Sequence, residues 1–553
     1  MIKRLLFSLL VIFTSFQLNA QEPTALWGKA VQGTLGSAVT SQGADIQIAP
    51  DGGIYISGGA GTKTVEDVIR FGNEVIANPE TVFNGNGNSG TQNLFISKIA
   101  ADGTPLWTVY SKNADVQSGK ALLCPVSDGL IAAVGLRHAT QLYDTDIILV
   151  DAEGRQTNLN WTISDEKNRY YRVILLKFNT QGALQWMRQI DAAHDLALTG
   201  VSTNALAVDK EANIYIGGNQ RVELTLKNSE GADIKIAPRN VEGWDGDSQK
   251  SAGDLFVLKL DKEGYYVNHL QSSGKATSLT IYDFVYTNDK LYFLAQTNGI
   301  AGEQLALGDK NFVTENSNGG VLTASLNKDL SVNWAQYYSS AKSGSVLNLA
   351  SIYVNDKHFW IMCKSNMSLI TATSKDLTCQ HTRDGLLLKV DIADGKLLDG
   401  YVNQVNQAGY FSAFESVDGD LYVLGHTLLN ALYIHRFDPN DLNAPLTNWD
   451  SMIANTSDAQ GIAYSADGRL YILTRSNNTS NALMGTDTKI LQDITAYCCN
   501  LSAFQLPVTP LTGIHTLKYE RPTDGAYYNL SGMRVEHPTK GLYIHNGNKV
   551  VIK

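Results

Sequence analysis

Short segments in which apolar and polar positions alternate recur along the whole chain, in pairs joined by a tight turn carrying Asp, Asn or Gly. The clearest copy reads ADIQIAPDGGIYISGG from Ala44 and resumes as LFISKIAADGTPLW from Leu94. Later copies repeat the pattern: ALLCPVSDGLIAAVG and VILLKFNTQGALQW, then ALAVDKEANIYIGG and DLFVLKLDKEG, then FVYTNDKLYFLAQ and VLTASLNKDLSVNW. IYVNDKHFWIMC and FESVDGDLYVLGH open the fifth and sixth copies, and GIAYSADGRLYILTR opens a seventh that then degrades. Aligning the second strands puts Tyr55, Ala132, Tyr215, Tyr292, Trp360, Tyr422 and Tyr471 in one column, with spacings of about 49 to 83 residues.

Each copy predicts four antiparallel strands, A to D, because the A–B and C–D turns are too short for anything else. One such unit cannot bury both of its faces. A row of separate sandwiches would need linkers that the sequence lacks, so the pattern predicts an all-β fold: a seven-bladed β-propeller of four-stranded antiparallel blades, plus a small C-terminal β-rich tail. The seventh copy lacks a D strand, and TALWGKAV around Trp27 has the character of one, which predicts ring closure by the N-terminal strand. The domain reading is a signal peptide over 1–20, a propeller over 21–508 and a tail over 509–553.

The leader reading rests on Lys3 and Arg4, the apolar run Leu5 to Phe13, and Leu18-Asn19-Ala20 as a cleavage site. The run is short for a membrane span, no cysteine follows it to take a lipid, and no transmembrane segment is expected. Without the leader's two cations the formal charge of −10 becomes −12, which argues against nucleic acid as a partner. The expected location is outside the cytoplasm of a Gram-negative bacterium: cell surface, secreted or periplasmic. Cys124, Cys363, Cys379, Cys498 and Cys499 are too few and too irregular for a disulfide framework or a zinc site. Buried free thiols are expected, with a Cys363–Cys379 bridge as the alternative.

At DLFVLKLDKEG, NIYIGG and the Trp-bearing turns the chain resembles SBBP-type bacterial β-propeller repeats, over about residues 24 to 506. Phe71-Gly72 and Leu307-Gly308 stand where that family has its FG-like pair. The resemblance implies a fold and an extracytoplasmic setting, and it brings no catalytic residues. The turns Asp102-Gly103 and Gln181-Gly182, followed by Trp, are also similar to quinoprotein-type repeats; Trp107, Trp186, Trp334 and Trp449 fill only part of that series, and no quinone site is seen. From Gly513, YYNLSGMRV, GLYI and NGNKVVIK resemble a shortened type IX secretion sorting domain, which implies surface delivery. A small docked β-unit is the alternative.

The long segments, about 60–92, 139–171, 221–252 and 299–318, all run between B and C and so emerge on one face. Two of them carry Tyr143, Trp161 and Tyr170, and Trp244, Asp245 and Asp247: aromatic platforms beside carboxylates, which suit a sugar. Local cores within the insertions are the structural alternative. GWDGD lacks the remaining ligands of a calcium loop, and NGNGNSG opens no helix that would cradle phosphate. Lys98, Lys177, Lys259, Lys389 and Arg436 recur just before the C–D turn, and that recurrence predicts a structural role.

No HExxH, GxSxG or Cys-His signature is present, and no metal or cofactor is expected. The functional reading is a non-catalytic binding or scaffold protein that uses the B–C loop face, with glycan or an envelope protein as partner. A glycan hydrolase with paired carboxylates near the channel and an envelope-assembly platform are the alternatives.

Overall fold

The computed structural model describes residues 23–33, 39–61, 66–80, 92–138, 146–159, 172–192, 201–239, 253–274, 276–299, 302–313, 320–339, 347–365, 377, 379, 381, 384–404, 409–416, 419–426, 432–450, 458–476, 498–506, 527–529, 534–545 and 548–552. They divide into two compact units, Met1–Leu506 and Pro507–Lys553. Among the described residues no helix is long and apolar enough to cross a membrane.

In the first unit the described strands form seven antiparallel sheets, each built on an A–B–C–D core. Blade one is Val39–Ile48, Ile54–Ala60, Asn93–Ile99 and Pro105–Lys112; blade two is Leu122–Val126, Gly129–His138, Arg172–Asn179 and Leu184–Ala192. Blade three is Val201–Val208, Ile214–Gln220, Asp254–Leu260 and Tyr266–Gly274; blade four is Ala276–Thr287, Lys290–Gly299, Gly320–Asn327 and Val332–Ser339. Leu347–Val354, Phe359–Ser365, Asp384–Val390 and Leu397–Asn403 make blade five; Gly409–Glu415, Leu421–His426, Leu432–Phe437 and Thr447–Asp450 make blade six. Blade seven has Asp458–Tyr464, Arg469–Ser476 and Cys498–Gln505, and its fourth strand is Thr24–Gly33. Each A strand lies against the next, and that of blade seven against that of blade one, so the sheets close into a β-propeller.

The turns explain the recurrent Asp and Asn. Asp51, Asp102, Asn179, Asp209, Asp261, Asp329 and Asn355 each accept the backbone N–H two residues on, fixing the chain reversal. The aromatic column of the B strands is buried throughout, Tyr422 at 3% being its most exposed member. Lys98, Lys259 and Lys389 lie opposite Tyr55, Tyr215 and Trp360 in register, with their ammonium groups 5.5, 5.7 and 5.3 Å from the ring centroids. Their charges end on Asp51, the Lys328 carbonyl and the Pro439 carbonyl, while Lys177 and Arg436 reach Asp128 and Asp420. This column serves the blades.

Adjacent blades are joined by a tryptophan on the D strand and a glycine in the next blade's C–D turn. The Trp27, Trp107 and Trp334 indoles donate to the carbonyls of Ala101, Thr180 and Ile392 at 3.0 Å. Gly103, Gly182 and Gly395 lie under those rings with φ of +84°, +81° and +77°, a conformation open to glycine. Trp449 of blade six is buried, yet its indole N–H has no hydrogen-bond partner among the described residues. The reason is topological: blade seven takes its D strand from the N-terminus, so it has no C–D turn to supply a carbonyl.

The described parts of four B–C insertions are hairpins rather than free loops. Ile69–Phe71 and Glu74–Ala77, from blade one, extend blade seven beyond Thr24–Gly33. Ile148–Val150 with Gln156–Asn158 extends blade one, Leu224–Lys227 with Asp233–Ile236 extends blade two, and Gln304–Leu307 with Lys310–Val313 extends blade three. An outermost D strand is an open edge, and each of these four is covered by the blade that follows. Cys363 and Cys379 are buried free thiols. In the second unit Tyr527–Tyr528, Arg534–Val535, Gly541–His545 and Asn548–Ile552 form one small antiparallel sheet.

Candidate functional site

Six of the seven A strands carry a one-sided register shift against their B strand, in the half where the A strand begins. Such bulges twist a strand and re-aim its side chains. The extra residue is Asn204 in blade three, Tyr282 in blade four and Gln460 in blade seven. Asn204 and Gln460 reach across to the following A strand, bonding the Ile281 carbonyl at 3.0 Å and the Ala44 N–H at 3.2 Å. Tyr282 instead stands 39% exposed in the cavity.

The cavity inside the ring, about 490 Å³, is lined by A-strand residues of all seven blades. Two carboxylates enter it from equivalent register positions, Asp45 opposite Ser57 and Asp283 opposite Leu294, each two residues beyond a column tyrosine's partner. Their counterparts in blades three, five, six and seven are Ala205, Ser351, Ser412 and Gly461. Asp45 accepts the Ile46 N–H at 3.0 Å and the Leu123 N–H at 2.8 Å; Asp283 accepts the Phe284 and Ile352 N–H groups, both at 2.9 Å. Both acids thereby tie their own blade to the next.

Burial pushes the Asp283 carboxyl up to about 7, against the pull of its two N–H donors and of Lys120, with Asp45's charge adding to the rise. Burial also raises Asp45, opposed by Lys120 and its N–H donors. The Cys124 thiol in the same wall is pushed up to about 12 by burial, which keeps it in the unreactive thiol form.

A second cavity of about 280 Å³ shares Lys120, Leu122, Asn204 and Tyr282 with the first. Its remaining wall includes Gln117, Ser118, Thr203, Thr280 and Gly135. These lie where A strands begin and the blade-two B strand ends, so the cavity opens on the face from which the B–C insertions leave. Lys120 is delivered by the connection between blades one and two, through Ser118 at φ 55° and Gly119 at φ 70°. A left-handed serine is a strained element of the kind that collects at functional sites. Gly135 is required there, because an added Cβ would sit 2.2 Å from Gln117 Oε1.

The residues singled out by sequence, Tyr143, Trp161, Tyr170, Trp244, Asp245 and Asp247, all lie outside the described residues. The described stretches of the same insertions sit on blade edges, where they cover open strands, and do not wall the channel mouth. Sequence reasoning did not find Asp45, Lys120, Tyr282 or Asp283. The two acids share a register, but Asp45 is ten residues before its column tyrosine and Asp283 nine before its own, so a simple alignment separates them.

No protein-family model matches the chain, and no curated protein matches it. Among solved structures it is similar to a protein of unknown function from Dyadobacter fermentans, with 8% identity, 88% of this chain and 99% of that chain covered, and a TM-score of 0.40. It is similar also to the quinohemoprotein alcohol dehydrogenase of Comamonas testosteroni (12% identity, 88% and 77% covered, TM-score 0.37). A third is a streptogramin B lyase, at 10% identity, 86% and 98% covered, and a TM-score of 0.33.

Proposed function

We propose that the chain is an exported, non-catalytic binding protein that takes a polar, ring-shaped ligand of the saccharide class at the insertion-face mouth of its channel. The observation that carries this reading is Tyr282, an aromatic ring exposed in a cavity whose walls also present Lys120, Asn204, Gln117 and Thr280. An aromatic face stacks the C–H face of a sugar while amide, hydroxyl and ammonium groups meet its rim. At about 280 Å³ the cavity is near the low end of the ~300–1,000 Å³ of small-ligand sites. The insertions bearing Trp161, Tyr143, Tyr170, Trp244, Asp245 and Asp247 leave from this same face, and we assign them to the outer part of the site. The leader reading through Ala20, the resemblance to SBBP-type repeats and the resemblance of the tail to a sorting domain support an extracytoplasmic location, at the cell surface, secreted or periplasmic. Binding of the mature chain to a glycan array tests this. Tyr282→Ala is expected to weaken any hit by about 1 kcal/mol or more with folding retained; a hit indifferent to Tyr282 removes the site from this mouth.

The observation that favours a hydrolase is that Asp45 and Asp283 both line the inner cavity, the latter raised to about 7 by burial and so suited to proton transfer near neutral pH. Against it stands the use of both oxygens of each carboxylate by backbone N–H groups. Release of reducing ends from a bound glycan, abolished in Asp283→Asn, would establish the enzymatic reading.

A further inference from the structure

We infer that the ligand of this cavity carries a carboxylate, as a uronic-acid-type sugar does, and that Lys120 is the residue that selects it. The inference rests on the saccharide reading above and adds the ligand's charge.

Lys98, Lys177, Lys259, Lys389 and Arg436 are all engaged by a turn acid or carbonyl. Lys29, at the N-terminal strand, donates to the Gly103 carbonyl at 2.7 Å, and Lys112 pairs with Glu80 at 2.6 Å. Lys120 is on the wall of both cavities and, among the described residues, makes no hydrogen bond and no ion pair. The two carboxylates whose fields reach it are each occupied on both oxygens by backbone N–H groups. They line the inner cavity and are absent from the wall of the outer one.

The Lys120 ammonium is half-buried on the cavity wall, and its N–H donors are open to a charged acceptor that enters there. The backbone that delivers it is built for the purpose: two successive left-handed residues, Ser118 and Gly119, with the Gln117 side chain laid over Gly135 where no Cβ intervenes. The wall of the same cavity also carries Tyr282, Asn204 and Ser118. A sugar ring stacked at Tyr282 would bring a carboxylate on its rim within the cavity that Lys120 lines. A neutral sugar offers the Lys120 ammonium hydroxyl acceptors but no opposite charge.

The test compares a glucuronate-containing oligosaccharide with a neutral glucose oligomer of the same length, titrated calorimetrically into the mature protein. The acidic sugar is expected to bind at least tenfold more tightly, and Lys120→Met to remove that preference by weakening the acidic sugar at least tenfold more than the neutral one. Lys120→Arg should retain most of the preference, and its retained binding shows that the segment still folds. Equal binding of both sugars, or a preference that survives Lys120→Met, overturns the inference and leaves the saccharide reading standing. Binding of neither sugar overturns both.

Discussion

The glycine beneath each blade-joining tryptophan gives the sharpest quantitative test of how the ring is held. In Gly182→Ala the new Cβ would be 2.6 Å from Trp107 Cδ2 and 2.7 Å from the Ala152 Cβ, in a residue fixed at φ +81°. Gly154 is the matched control: it has nearly the same backbone, φ +77°, but nothing within 4 Å of an added Cβ. The left-handed conformation costs an L-residue about 1–2 kcal/mol, partly offset by about 0.4–1 kcal/mol from a less flexible unfolded chain. Gly154→Ala is therefore expected to lose about 1 kcal/mol. Gly182→Ala adds overpacking of about 1–3 kcal/mol, and about 1 kcal/mol more if the indole is pushed off the Thr180 carbonyl, which it now meets at 3.0 Å. A gap of about 1–4 kcal/mol between the two variants should appear in urea unfolding followed by tryptophan fluorescence. Losses that agree within about 0.5 kcal/mol would mean that the turn glycine answers to backbone geometry alone and that the tryptophan contact is idle.

Trp449→Phe discards a buried indole N–H that has no acceptor among the described residues, whereas Trp107→Phe breaks a made bond; the second should cost about 1 kcal/mol more by the same assay. Burial pushes the Asp283 carboxyl up to about 7 in the folded chain, well above the usual carboxylate range, so the folded state holds its proton more tightly. Its contribution is fully present below about pH 4 and is lost as pH rises through about 7, on the order of a few kcal/mol. The stability difference between the parent and Asp283→Asn should shift in that window, and a difference independent of pH between 4 and 8 would refute the assignment.

What recurs from copy to copy was legible. The Tyr55 column, the turn acids and the Lys98 series, which has members in five of the seven blades, repeat because the blades solve the same packing problem, and repetition in one chain makes the pattern visible. What belongs to a single blade was not. Lys120 sits in a connection with no counterpart among the described residues, and Tyr282 differs from its neighbours only by lying in a bulge, which no periodicity announces. The insertion hairpins were hidden for another reason. Their strands, such as Ile69–Phe71 and Leu224–Lys227, are too short to show alternation, and their partner strand belongs to the copy before. The loops richest in candidate binding residues were easy to see in the sequence, as excess length between B and C, but length says nothing of where Trp161 or Trp244 comes to rest.

The hairpins also decide where such a ring can be cut and rejoined. A blade of this protein is not a removable cassette, because Ile148–Val150 and Gln156–Asn158 are encoded in the second repeat and serve the first. Deleting the second repeat from its A strand to its D strand would strip blade one of its cover and bring blade three's hairpin to a strand it was never matched to. The exchangeable module is offset: it runs from one C strand, through the following A and B strands, to the end of the next insertion hairpin. Breakpoints for chimeras or for repeat duplication thus fall in the stretches after those hairpins, between 77 and 93, 158 and 172, or 236 and 254, where a crossover leaves every covered edge with its own cover.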